Sequence, residues 1–103
     1  MADVTRFYQG DRYRGRWGFY SRGNDLIRAE SLVGRIVNIG TKDGLVYDSA
    51  RVTGFDDRRG ILTIEGGVHQ FYAGDLQPTV REQVWMHDIA RGYIHAGPEA
   101  KAS

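Results

Sequence analysis

The sequence predicts a mainly β fold: one small, strongly twisted antiparallel barrel, with a short N-terminal helix and a C-terminal helix. Three observations carry this. Between Leu32 and Pro78, apolar runs of strand length alternate with turn chemistry, at Lys42-Asp43-Gly44, at Asp56–Gly60 and at Gly66-Gly67. Glycine supplies 14 of the 103 residues and aromatics 12%, the balance of a short-stranded β protein with many turns. After Pro78 the apolar spacing changes to three and four residues, the mark of a helix face.

Each element follows in order. Residues 1–9 form an N-terminal arm, with Thr5–Tyr8 as a short edge strand. The barrel domain spans 10–78 and opens with an arginine/aromatic strand. Asn24 or Asp25 caps a short helix over Asp25–Glu30, which turns Leu26 and Ile27 towards one open end of the barrel. Gly34–Thr41 is the first barrel strand. The Asp43-Gly44 pair, tolerant of positive φ, turns it back. Leu45–Phe55 is a long second strand with Val46, Asp48, Ala50 and Val52 on one face and a bend at Gly54. Ile61–Glu65 is the third, with Leu62 and Ile64 inward. Gly66-Gly67 is a two-residue hairpin turn into Val68–Tyr72, and a short last strand stops at Pro78. Thr79-Val80-Arg81-Glu82 matches a capping box, so the domain 79–94 is a helix from Val80 to Arg91 with Gly92 as its stop. Trp85, Met86, Ile89, Ala90 and Tyr93 form its apolar stripe. Residues 95–103 are expected to be a disordered tail.

Composition bounds the function. A chain of 103 residues has room for one domain, burying about two thirds of its unfolded surface. There is no cysteine, hence no disulfide framework and no thiolate metal site. No apolar run approaches the roughly 20 residues of a membrane span, and no signal-peptide core is present. The expectation is a soluble, cytoplasmic protein without membrane contact. A net charge of +1 does not itself argue for nucleic acid. The kind of cation says more, because all but Lys42 and Lys101 of the 14 are arginine, a planar forked donor that suits phosphates and interfaces.

Gly10–Arg22, GDRYRGRWGFYSR, has the most unusual local composition. Period two puts Arg12, Arg14 and Arg16 on one face and Tyr13, Trp17 and Phe19 on the other. Cations that neutralise phosphates and rings that stack bases compose nucleic-acid surfaces. The plainer alternatives are an edge strand whose arginines pair with carboxylates, or a strand docked on a neighbouring subunit.

Residues 25–65 resemble the start of an Sm/Lsm-type domain, a small SH3-like barrel. The resemblance rests on DLIRAESLVGRIVNI, then Lys42-Asp43-Gly44, then Gly54-Phe55-Asp56, then Ile61–Ile64. It implies the barrel and, in that family, binding of U-rich RNA. Only Asp56 carries over to the base-holding residues. The amide expected four residues later is replaced within Asp57-Arg58-Arg59-Gly60, where Arg58 or Arg59 would supply a cation. Tudor- and KOW-type SH3-like barrels fit the same strand pattern.

Little points to catalysis. His69, His87 and His95 are scattered, and neither a nucleophile elbow nor a phosphate-cradling glycine loop occurs. No catalytic residue, metal or cofactor is expected. The first expectation is therefore a non-enzymatic module for an anionic ligand: RNA, single-stranded DNA or a small nucleotide. Arg12, Arg14, Arg16, Arg58 and Arg59 would supply charge, Tyr13, Trp17 and Phe19 stacking, and the protein would be a homo-oligomer. The nucleotide version places the ligand between subunits. The alternative is a protein-binding or accessory assembly protein, of the phage-regulator kind, anchored by Trp85, Met86, Ile89 and Tyr93 or by the aromatic N-terminal strand.

Overall fold

The computed structural model describes residues 5–71 and 74–95. Ten strands form one antiparallel sheet: β1 Thr5–Tyr13, β2 Arg16–Ser21, β3 Leu26–Arg28, β4 Ile36–Thr41, β5 Leu45–Asp56, β6 Ile61–Glu65, β7 Val68–Phe71, β8 Gln77–Pro78, β9 Glu82–Trp85 and β10 Ile89–Ile94. The strand order is β3-β2-β1-β10-β4-β5-β6-β9, with β7 beside β5 and β8 beside β7. The sheet curls around one core that includes Phe7, Phe19, Leu32, Ile39, Val52, Leu62, Met86 and Ile89. Away from the strand ladder, Trp17 Nε1 on β2 donates to the Asp57 carbonyl in the β5–β6 turn at 2.9 Å, while the Met86 N–H, donating to the Gly60 carbonyl at 2.8 Å, extends the β6–β9 ladder.

Both expected helices are absent among the described residues. Leu26–Arg28 pairs with β2 as β3, and Ala29–Leu32 makes a single 3-10 turn whose Ala29 and Leu32 are buried. The expected C-terminal helix is β9, a three-residue 3-10 turn over Met86–Asp88, and β10. The capping-box residues serve the sheet instead. The Thr79 hydroxyl meets His69 Nδ1 at 2.8 Å, and the Thr79 backbone exchanges hydrogen bonds with Gly66 and Gly67. Glu82 pairs with Ile64 in the β6–β9 ladder. Burial of Val84 and Met86 with exposure of Gln83 and Trp85 is the period of a strand, not of a helix.

Within Leu32–Pro78 the strands fall where apolar runs place them, but their pairing differs. Gly66-Gly67 does not turn a hairpin. β6 and β7 follow one another along the same edge of β5, Arg51 facing Glu65 and Asp48 facing Val68. The two glycines form a kink between them. Both have positive φ, and a Cβ on Gly67 would lie 2.0 Å from the Asp48 carbonyl oxygen. Opposite, Ser49 at φ 58° breaks the phase of β5. Tyr47 therefore turns inward with Ala50 and Val52, while Val46 and Asp48 face out. The register also shifts at Gly54. Thr5–Tyr8 lies within an interior strand, since β1 pairs with both β10 and β2. No helix among the described residues is long and apolar enough to cross a membrane. The expected tail lies outside the described residues beyond His95, as do residues 1–4 of the expected arm.

Candidate anion-binding face

β1, β10, β4 and β5 are neighbours, and alternation gives each a buried and an outward row. Phe7, Ile39 and Tyr47 go to the core. Arg6, Tyr8, Arg91, Tyr93, Asn38, Gly40 and Val46 line the outer side, around a groove of about 270 Å³ that also touches Ile39 and Gly92. The register sets them in two transverse rows. In one, Arg6 faces Tyr93 and Tyr93 faces Asn38. In the other, Tyr8 faces Arg91, Arg91 faces Gly40 and Gly40 faces Val46. Arginine and tyrosine thus alternate in a two-by-two checkerboard. Arg91 runs beside Gly40, where a Cβ would lie 3.7 Å from Arg91 Cγ, an ordinary van der Waals distance.

Side-chain contacts fix the first row. The Arg6 guanidinium sits 5.7 Å from the centre of the Tyr93 ring. The His95 ring stacks on Tyr93 at 5.3 Å and 15°. His95 Nε2 lies 2.5 Å from Asn38 Oδ1, which also accepts the Ser49 N–H at 3.1 Å. A backbone N–H can only donate, so Oδ1 is an acceptor and His95 Nε2 is the donor in this contact. Two forked guanidiniums beside two phenol rings, with no carboxylate in the groove lining, suit a phosphate attached to a flat ring. The volume lies just below the roughly 300–1,000 Å³ of small-molecule pockets.

The arginine row expected from Gly10–Arg22 is broken by a turn. Arg14 (φ 57°) and Gly15 (φ 81°) make a two-residue hairpin of the kind that needs positive φ at both positions. Arg12 then faces Trp17, and Tyr13 faces Arg16. The Arg12 guanidinium lies 5.4 Å from the Trp17 ring centre, Arg16 pairs with Glu30, and Arg14 stands exposed at the tip. Trp17 (6% exposed) and Phe19 (0%) are core residues, so neither can stack a base. Tyr13 is half-buried and meets the Tyr20 ring at 4.4 Å. Burial first, then the nearby charge of Asp11, push its phenol above the usual 10.0.

Asp56 caps its own turn. Its Oδ1 accepts from the Arg58 and Arg59 amides at 3.0 and 3.2 Å, and Oδ2 lies 3.8 Å from Arg59 Nε. Arg58 and Arg59 are exposed beside two aspartates. Trp17 brings this turn and the β1–β2 hairpin together through its bond to Asp57; of the cations around it, Arg16 pairs with Glu30 and Arg59 approaches Asp56, while Arg12 lies over the Trp17 ring. Among the expected anchors, Met86 and Ile89 are fully buried and unavailable to a partner. Trp85 is 52% exposed on β9, and Tyr93 lies in the groove described above.

Arg6, Tyr8 and Arg91 were not singled out from the sequence. Their signal is the alternation Arg6-Phe7-Tyr8 and Arg91-Gly92-Tyr93, visible only once both segments are known to be neighbouring strands. Among the described residues, no group of three or more His, Asp or Glu side chains is arranged to hold a metal ion. No family model, no curated protein and no solved structure matches this chain. The Sm/Lsm resemblance thus extends only to a small all-β antiparallel sheet.

Proposed function

We propose that this protein is a non-enzymatic binding module for an anionic ligand, a nucleic acid or a nucleotide, held on the outer face of β1, β10 and β4. The observation that carries the reading is the Arg6/Tyr93–Tyr8/Arg91 checkerboard around a groove without carboxylates. It joins the two ingredients of phosphate-and-base recognition on interior strands of the sheet, where the backbone is held from both sides. The Sm-like order of turns in residues 25–65 favours the same ligand class. A cytoplasmic setting belongs to the proposal, since such ligands occur there and a cysteine-free chain needs no oxidising compartment.

The test is binding of a labelled mixed-sequence oligonucleotide and of a labelled nucleoside triphosphate. Arg6→Ala combined with Arg91→Ala should weaken binding of the true ligand at least tenfold, whereas Arg58→Ala with Arg59→Ala should change it less than twofold. No binding of either probe by the wild-type protein would remove the proposal.

A second reading has its own observation. β9 pairs only with β6, so one edge is unpaired among the described strands, and Trp85 and Val80 stand 52% and 81% exposed on or beside it. An open edge flanked by large apolar side chains favours a protein contact, including a second copy of this chain. Light scattering of wild type and of Trp85→Lys decides it. A wild-type dimer or larger species that becomes monomeric in the variant supports the contact, and a wild-type monomer at high micromolar concentration counts against self-association.

A further inference from the structure

The transverse row through Arg91 does not end at the groove. Tyr8 faces Tyr20 on β2, and Tyr20 faces Leu26 on β3. Tyr20 is 37% exposed, and its ring meets that of Tyr13 at 4.4 Å and 66°. Two phenol rings and a guanidinium therefore stand in line on three adjacent strands, with Arg6 and Tyr93 in the next row. We infer that the ligand is a single-stranded nucleic acid that runs across the strands, from Tyr20 over Tyr8 to Arg91. This rests on the anion-binding reading above and narrows it.

The row continues from Arg91 to Gly40 on β4, and neighbouring strands lie about 4.8 Å apart, so the four strands from β2 to β4 under the path are roughly 14 Å wide. At about 3.4 Å per stacked nucleotide, that width takes roughly four nucleotides. Rings exposed on a sheet face offer stacking to bases that are unpaired, and stacking tolerates any base. A duplex keeps its bases inside and would meet this face with phosphates alone, leaving Tyr8 and Tyr20 without a role. A lone nucleotide would fill the groove but leave Tyr20 uncovered. Charge complementarity fits all three anions, because the groove holds Arg6 and Arg91 with no carboxylate, so the rings of Tyr8 and Tyr20 carry the choice of a single strand.

Fluorescence anisotropy with mixed-sequence DNA and RNA strands of two, four and eight nucleotides, an eight-base-pair duplex and a labelled adenosine monophosphate tests the inference. Affinity should climb to about four nucleotides and then level, with the duplex and the mononucleotide each at least tenfold weaker. Tyr8→Ala and Tyr20→Ala should each weaken the four-nucleotide strand roughly tenfold. Tyr20→Phe, which keeps the ring, should restore binding to within threefold. Should Tyr20→Ala lower the thermal midpoint, Tyr20→Leu carries the same comparison. Equal affinity for strand and duplex, or tight binding of the mononucleotide alone, would overturn the single-strand path while sparing the anion reading. Unchanged strand binding in both tyrosine variants would overturn it too. Absence of binding to every probe would overturn both.

Discussion

Trp17 shows how one side chain can look like a ligand contact in the sequence and serve as a clasp in the fold. It follows Arg12, Arg14 and Arg16, yet its ring is 6% exposed and its indole N–H is satisfied by the Asp57 carbonyl. Arg12 covers one part of the ring and His87 meets it edge-on at 5.0 Å. Trp17→Ala should cost about 3–5 kcal/mol, the range for a large buried aromatic. Trp17→Phe keeps most of the packing but strips the Asp57 carbonyl of its donor, and should cost about 1–3 kcal/mol. Urea midpoints measure both. The tyrosines give a pH prediction. Burial is the first cause, and nearby carboxylates the next, of phenols raised above 10.0 at Tyr13 (Asp11) and at Tyr47 (Glu82, then Asp43). A raised phenol favours the neutral form in the folded state, so its stabilising contribution is complete below pH 10 and is lost as pH rises through the folded-state value. Stability should therefore be flat from pH 8 to 9.5 and fall above 10. Tyr13→Phe with Tyr47→Phe should flatten that fall, as read from urea midpoints at pH 9 and 11.

At the scale of elements, β10 decides the architecture. It is the strand that joins the β1–β2–β3 end of the sheet to β4 and β5. Gly92, at its centre, is a packing position and not a helix stop: a Cβ there would come within 2.6 Å of the Phe7 ring and 2.3 Å of the Asn38 carbonyl oxygen. Gly92→Ala should accordingly destabilise the protein by about 1–3 kcal/mol and shift the β1 and β4 amide resonances, although alanine has the better intrinsic propensity for most elements. The Leu32–Pro78 strands were legible because their turns carry local chemistry, as Asp43-Gly44 does. The segment after Pro78 was not. Trp85, Met86, Ile89, Ala90 and Tyr93 fit a helical stripe by spacing alone, and non-local pairing with β6, β1 and β4 decided for strands instead. The Arg14-Gly15 turn was missed for a similar reason. Arginine at positive φ is uncommon, so the alternation of Gly10–Arg22 looked like one continuous strand. Ser49 hid the true phase of β5 in the same way. Four candidate site residues prove to be core: Trp17 and Phe19, expected to stack a ligand, and Met86 and Ile89, expected to anchor a partner.

At the scale of the whole molecule, one curled sheet divides its labour between two faces. The inner face holds the apolar residues that fold it, from Phe7 to Ile89. The outer face of the interior strands carries Tyr20, Tyr8, Arg91, Arg6 and Tyr93, which the core does not require. Substitutions on this face should therefore alter binding more than stability, the reverse of what Trp17 and Gly92 variants should do. Net charge is only +1, so attraction for a polyanion has to be local and not a property of the whole surface. Salt dependence reads out that local charge. The most direct test of the proposed anion-binding role of this face is the slope of log affinity against log salt for an eight-nucleotide strand, measured on wild type and on Arg6→Ala/Arg91→Ala. Each neutralised phosphate on a single strand contributes about −0.7 to that slope. Wild type should show a clear negative slope, and the double variant should be shallower by about 1.4, two phosphates' worth. Equal slopes and equal affinities in the two proteins would contradict the account.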